Sequence, residues 1–287
     1  MEDWKVLFEK DTKRQHYVAQ MYLRAWATDG VIWCKRRDNI FSTSSLNLAH
    51  ERLFYEVDVL SEVEFRFVLA FIERLPRESH ALLVENLMLY CTCSDIDFLK
   101  RNGIEKYHGV FENMVAPTLE TLRTGNLAVL GDEQTRIDFC KFLGRQYTRT
   151  KKIKASVPSI QPLDTPIPEE FRSCDMEKVG RVLTFLFADA IGNWAYSSGK
   201  FTLLRSPQKR LMTNDQPVSN TKAMKDIPPT EMELFYPLSP EYALLINTEE
   251  TGDRDLSNEE VTSWNHYILS TAHEMIFANQ RELLDDR

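Results

Sequence analysis

The stretch His16-Tyr17-Val18-Ala19-Gln20-Met21-Tyr22-Leu23-Arg24-Ala25-Trp26 mixes core and chemistry more tightly than the rest of the chain. Placed on a helix at about 100° per residue, Val18, Met21, Tyr22 and Ala25 fall on one face, and Gln20 and Arg24 stack on the other with His16 one turn earlier. The spacing predicts an apolar anchor carrying a polar row. Such a row ordinarily meets water, and lysine and glutamate are the usual choice for it. Here it holds an imidazole that titrates near neutrality, a carboxamide and a guanidinium.

Outward from this anchor, Gly30 to Lys35 is β-branched and aromatic, Arg37-Asp38-Asn39 supplies turn chemistry, and Ile40-Phe41 follows. This reads as a small hairpin beside the first helix. His50 to Tyr55 puts Glu51 and Tyr55 four apart, on the same side of a helical turn. Helical spacing then predicts one helix over 57–75, stopped by Pro76, and a second from about Glu78 to Cys91. Ser94-Asp95 reads as a cap, and a third helix over 105–122 should kink or divide at Pro117. Further apolar stripes mark 132–152 and 175–196, while Pro158, Pro162, Pro166 and Pro168 make 157–170 an extended connector. Strand material lies at Phe201–Arg205, Leu211–Thr213, 233–240 and Tyr242–Asn247. The last helix opens on a Ser257/Glu260 capping box, with a stripe of Val261, Trp264, Ile268, Ala272, Met275 and Ile276. The fold class is α+β: a predominantly helical single domain over 1–287, with a small antiparallel sheet built from the N-terminal hairpin and C-terminal strands.

Of 287 residues, 43 % are hydrophobic and 27 % charged, as in a globular protein with a substantial core. The formal charge of −8 should repel polyanions, so a nucleic-acid partner needs a local basic patch. Arg145, Arg149, Lys151, Lys152 and Lys154 form such a window, although cations at a helix end also offset the macrodipole by about 0.3–1 kcal/mol. Five widely spaced cysteines and a polar, acidic start point to reduced thiols and a cytoplasmic address. Cys91 and Cys93 lack the second pair of a zinc site. No apolar run approaches the roughly 20 residues of a membrane span. There is no Gly-x-Ser-x-Gly elbow, phosphate-binding glycine loop, dinucleotide fingerprint or His-Glu-x-x-His, which argues against serine hydrolase, kinase and dehydrogenase.

At His16 to Arg24 the chain resembles a bacterial domain-of-unknown-function family whose members open with His-Tyr-Val-Pro-Gln-x-Tyr-Leu-Arg. Its later motifs look like Glu51–Tyr55, Gln146-Tyr147-Thr148-Arg149-Thr150, Thr213-Asn214-Asp215-Gln216-Pro217 and Pro237-Leu238-Ser239-Pro240, in order, over about 14–278. Ala19 replaces proline, which should let the first helix begin earlier. Asn214 replaces serine and Gln216 asparagine. The resemblance implies a shared fold and a shared site, and names no activity.

If the fold gathers them, His16, Glu51 and Asp215 suit acid–base or metal work, and Gln20, Arg24, Tyr55, Gln146 and Arg149 suit substrate binding. Arginine grips phosphate oxygens bidentately, and the acids could hold a divalent cation or deprotonate water. This set points to a hydrolase or transferase acting on a phosphate-containing substrate, nucleic acid or nucleotide, of the kind found in nuclease-like toxins and defence effectors. The alternative is a non-catalytic interaction or sensing protein, with a protein partner, whose polar cluster specifies the fold. Each residue also has a duller role: Asp215 as an Asx turn, Glu51 and Arg24 as an ion pair, Tyr55 as core. On the catalytic reading His16→Ala and Asp215→Ala leave thermal stability nearly unchanged. Everything depends on these side chains meeting in one open hollow.

Overall fold

Only the middle of the 16–26 stretch is helical in the computed structural model, which describes residues 11–156, 168–223, 231–249 and 252–285. Arg14–His16 is a strand, β1, and helix α1 covers Gln20–Leu23 before a 3-10 turn over Arg24–Trp26. Ala19 sits at φ −54° and ψ 129°, the conformation a proline takes, so α1 starts no earlier than it would with proline there. Tyr17, Val18, Tyr22, Leu23 and Trp26 are all fully buried, and this stretch anchors the largest apolar cluster.

The predicted hairpin forms as β2 (Ile32–Arg36) and β3 (Asn39–Thr43), turning through Arg37 at φ 54°. The next segment, β4 (His50–Arg52), pairs antiparallel with β1 and sets His16 opposite His50. Ala49 and Leu53 bracket it at φ 47° and 51°. Glu51 and Tyr55 therefore do not share a helical turn.

Caps and stops then divide the chain into helices. A Ser61/Glu64 capping box opens α2 (Glu62–Ile72), and Pro76 precedes α3 (Arg77–Asp95). Ser94 does not cap; its hydroxyl donates back to the Cys91 carbonyl at 2.7 Å, and only Ile96 separates α3 from α4 (Asp97–Leu122). Pro117 does not divide α4. It lies on the exposed side with Asn113, where water can satisfy the carbonyl that a proline leaves unpaired. Helix α5 (Glu133–Thr148) breaks at Arg149-Thr150 before α6 (Lys151–Ser156), and Asp175 caps α7 (Met176–Ser197). Most of the proline-rich connector, 157–167, lies outside the described residues. α5 and α7 cross in close contact: a Cβ on Gly144 would meet the Ala188 carbonyl, and one on Gly192 the Cys140 carbonyl.

The remaining strands are β5 (Lys200–Arg205), β6 (Thr213–Asn214), β7 (Ser219–Asn220), β8 (Leu234–Pro237), β9 (Tyr242–Asn247), β10 (Arg254–Asp255) and β11 (Met275–Ala278), with α8 (Asn258–Thr271) before the last. They build two sheets. One runs β10-β5-β9-β8-β7, antiparallel except for β10 and β5. The other runs β3-β2-β11-β6, so the N-terminal hairpin does join C-terminal strands, and the architecture is α+β. Strand β11 corrects the sequence reading, which continued the last helix to Ile276. Helix α8 opens on the predicted capping box but ends at Thr271, because Ala272 turns to ψ 143°. The chain beyond becomes the central strand between β2 and β6. All five cysteines are free thiols, and no helix among the described residues is long and apolar enough to cross a membrane.

Candidate functional site

The break between α5 and α6 organises the polar interior. Arg149 ends α5 almost wholly buried, and its guanidinium donates to Glu112 Oε1 at 2.6 Å and to Gln146 Oε1 at 2.8 Å. Burial alone would lower its pKa; Glu112, Tyr55 and Glu105 outweigh that and hold the cation firmly charged. Glu105, His108 and Glu112 follow one another on α4 at three- and four-residue spacing, hence on one face. Glu105 has its carboxyl pushed up to about 7, chiefly by burial and against the pull of Arg149, while it accepts the His16 backbone N–H. His108 is buried against the Tyr55 ring, 4.8 Å between centroids, and burial drives its pKa far down. It stays a neutral imidazole.

Tyr55 donates its hydroxyl to the His16 carbonyl at 3.1 Å. His16 itself is half-buried, with its pKa lowered to about 4 by burial above all. The Gln20 amide lies 3.0–3.1 Å from the two His16 ring nitrogens. His16 is thus neutral at physiological pH and tied to Gln20 as the sequence suggested, although the link runs from strand to helix.

A cavity of about 90 Å³ opens beside this cluster. Phe54, Tyr55, Tyr90, Ile104 and Phe185 give it apolar walls, and His108, Arg149, Lys154 and Arg181 add its basic groups. Arg181 is held by Asp58 and Glu177, each at 2.6 Å. Lys154 lies over the Phe54 ring, 4.4 Å from its centroid, and donates to the Phe54 carbonyl at 2.9 Å. Its pKa is lowered by burial and then by Arg181.

Of the eight residues expected at the site, Tyr55 and Arg149 line this cavity, and Gln146 stands directly behind Arg149. The others lie elsewhere. Glu51 pairs with Lys151 at 2.6 Å, and Lys151 continues to Glu274 at 2.8 Å. Arg24 is exposed and is not the partner of Glu51. Asp215 is fully buried, and its carboxylate accepts three backbone N–H groups, from His273 and Glu274 at 2.8 Å and Met275 at 3.1 Å. Burial still raises its pKa against those donors. The Asx turn belongs to Asn214, whose Oδ1 accepts the Gln216 N–H at 2.8 Å. None of His16, Glu51 and Asp215 lines this cavity, and each has its own partners. Among the described residues no group of three His, Cys, Asp or Glu side chains is placed to hold a metal ion.

The late motifs nevertheless converge on the core. Tyr22 bonds the Thr213 hydroxyl at 2.6 Å, and the Trp26 indole donates to the Leu211 carbonyl at 3.0 Å. Asn214 donates to the Ile268 carbonyl near the end of α8, and Gln216 to the Tyr147 carbonyl in α5. Thr150 completes the knot by donating to Gln216. Arg123, which the sequence reading passed over, ties Leu238 to the Met21 and Tyr22 carbonyls. The model of a protein family of unknown function, DUF4238, matches residues 14–282, the span over which these contacts are spread. The chain belongs to this family. No curated protein and no solved structure matches it. In this family member the N-terminal motif and the late Thr-Asn-Asp-Gln-Pro box meet as a hydrogen-bonded knot, and the Gln-x-x-Arg-Thr motif faces both ways: Thr150 into the knot, Arg149 onto the cavity.

Glu105, His108 and Glu112 are not among the candidate residues read from the sequence, and Lys154 appears there only as part of the basic window. The signal that could have found the acids is the Glu105/His108/Glu112 row on one helical face. No local pattern pairs that row with Arg149, which lies on another helix.

Proposed function

We propose that this protein binds a small phosphate-bearing molecule in the cavity beside Tyr55 and acts on it as a hydrolase or transferase. Lys154 carries the reading. It is the lining cation that forms no ion pair with a carboxylate among the described residues, and both burial and the neighbouring Arg181 work against its charge. A bound anion relieves both effects. Arg149 and Arg181 also line the cavity, the first already paired with Glu112 and the second with Asp58 and Glu177, so Lys154 is left to meet the anion.

A small molecule fits better than a polymer. The basic window is turned inward: Arg145 pairs with Asp189, Arg149 with Glu112, Lys151 with Glu51 and Glu274, and Lys152 donates to the Thr271 carbonyl. Little of it is left to follow a nucleic-acid backbone. Glu105 does not itself line the cavity but acts on Arg149, which does, and its pKa near 7 suits a general base or acid at neutral pH. A second reading, a non-catalytic sensing protein, is favoured by the saturated environment of Asp215 and the ion pairing of Glu51.

The test is calorimetric titration of the full-length protein with inorganic phosphate. Lys154→Met keeps the stem on Phe54 and removes the charge; it should weaken binding at least tenfold, whereas Lys151→Met should not. Failure of the parent to bind phosphate, or equal affinity in Lys154→Met, overturns the reading. Glu105→Gln separates its two forms, since an enzyme keeps binding and loses turnover.

A further inference from the structure

We propose that the molecule bound in this cavity carries a flat, hydrogen-bonding ring, so that the ligand class is the nucleoside monophosphates; this rests on the phosphate reading above. Rings surround the space on several sides: Phe54, Tyr55, Tyr90, His108 and Phe185. Tyr90 and Phe185 already lean on each other at 5.8 Å between centroids, and Tyr55 on His108 at 4.8 Å. Walls of this kind suit stacking on a π-face, a contact every nucleobase offers.

The same walls hold two polar atoms in want of a partner. His108 Nδ1 and Arg149 Nε are buried with no hydrogen-bond partner, on residues that are 5 % and 6 % exposed. Buried polar groups are normally satisfied, and these two belong to side chains that line one cavity. Arg149 Nε–H is a donor and requires an acceptor. Neutral His108 presents either a donor or an acceptor at Nδ1, according to its tautomer. A base edge, with acceptors and donors side by side in its plane, answers both, whereas a sugar phosphate without a base answers neither from within an aromatic slot.

The two ends of the space differ in burial. Lys154 and Arg181 are only partly buried, while His108 and Arg149 are almost wholly so. The phosphate therefore sits at the outer, Lys154 end and the ring at the inner end.

The experiment titrates the full-length protein with the 5′-monophosphates of adenosine, guanosine, cytidine and uridine, and with ribose 5-phosphate and inorganic phosphate. At least one of the four nucleotides should bind tenfold or more tighter than ribose 5-phosphate. Phe185→Leu should remove most of that advantage and leave ribose 5-phosphate binding unchanged. If ribose 5-phosphate binds as tightly as all four nucleotides, or if Phe185→Leu leaves the nucleotide preference intact, the ring assignment is wrong while the phosphate reading stands. If no phosphate compound binds, both fall.

Discussion

Replacing Asp215 with alanine should unfold the protein at markedly lower temperature, and the size of the effect follows from its three contacts. The carboxylate accepts the backbone N–H groups of His273, Glu274 and Met275 at 2.8, 2.8 and 3.1 Å, from a side chain with no exposed surface. A buried donor left without an acceptor costs about 1–3 kcal/mol. Water entering the vacated space recovers part of that for three donors, which leaves a loss of about 3–5 kcal/mol. For a chain of this size each kcal/mol lowers the melting temperature by about 2 °C, so a drop of about 6–10 °C is expected. Asp215→Asn keeps an acceptor at one oxygen position and turns an amide N–H₂ toward a backbone N–H at the other, so its loss should be smaller but clear. Thermal unfolding followed by circular dichroism measures both, and amide exchange at 273–275 should quicken in the alanine variant. A melting temperature within about 1 °C of the parent, with unchanged exchange, would refute the structural role and return Asp215 to the catalytic candidates.

Further outcomes can be checked on the same protein. Binding an anion should raise the depressed pKa of Lys154, which is faced by Arg181, Glu51, Asp58 and Glu177. Between the free and bound pKa values the complex then takes up a proton, so phosphate affinity should fall as pH rises through a range below that of an ordinary lysine; calorimetry in buffers of different ionisation enthalpy reads the uptake. Gly144→Ala should abolish soluble expression or cut stability severely, because its Cβ runs into the Ala188 carbonyl, whereas Gly109→Ala, with nothing in the way, should stabilise α4 by about 0.5–1 kcal/mol. Glu112→Gln should cost about 3–5 kcal/mol by stranding the buried Arg149, while Lys151→Met, which breaks a half-exposed bridge, should cost about 1 kcal/mol or less; denaturant titration compares them.

The parts of the fold that could be read in the sequence are those fixed by neighbours in the chain. Asp175 and the Ser257/Glu260 box do start two helices and Arg37-Asp38-Asn39 does turn the hairpin, while Pro76 marks a boundary from the other side: α2 has already ended at Ile72, and Pro76 stands at the N-cap of α3. What could not be read depends on distant partners. Met275 and Ile276 fit a helical stripe as well as a strand, and the choice is made by Asp215 capturing the intervening N–H groups from 58 to 60 positions away. Gln146 and Arg149 stand out in the sequence by their motif, but Glu112, the acid that pairs with Arg149, sits on α4 with no signature beyond spacing. The short, extended start of the His16 stretch is likewise set by its pairing with β4, and by Ala19 adopting a proline's backbone angles.

The sheet order β3-β2-β11-β6 has a consequence for the newly made chain. Strand β2 is made long before β11, which covers its open edge through pairs such as Cys34 with Phe277. Until then the hairpin has an unclosed side rich in β-branched and aromatic residues, the kind of edge that recruits other polypeptides. Emergence of Met275–Ala278, rather than growth of the helical middle, should therefore mark the moment this edge becomes safe from aggregation during synthesis, and chains cut short before Met275 should be the ones that chaperones hold.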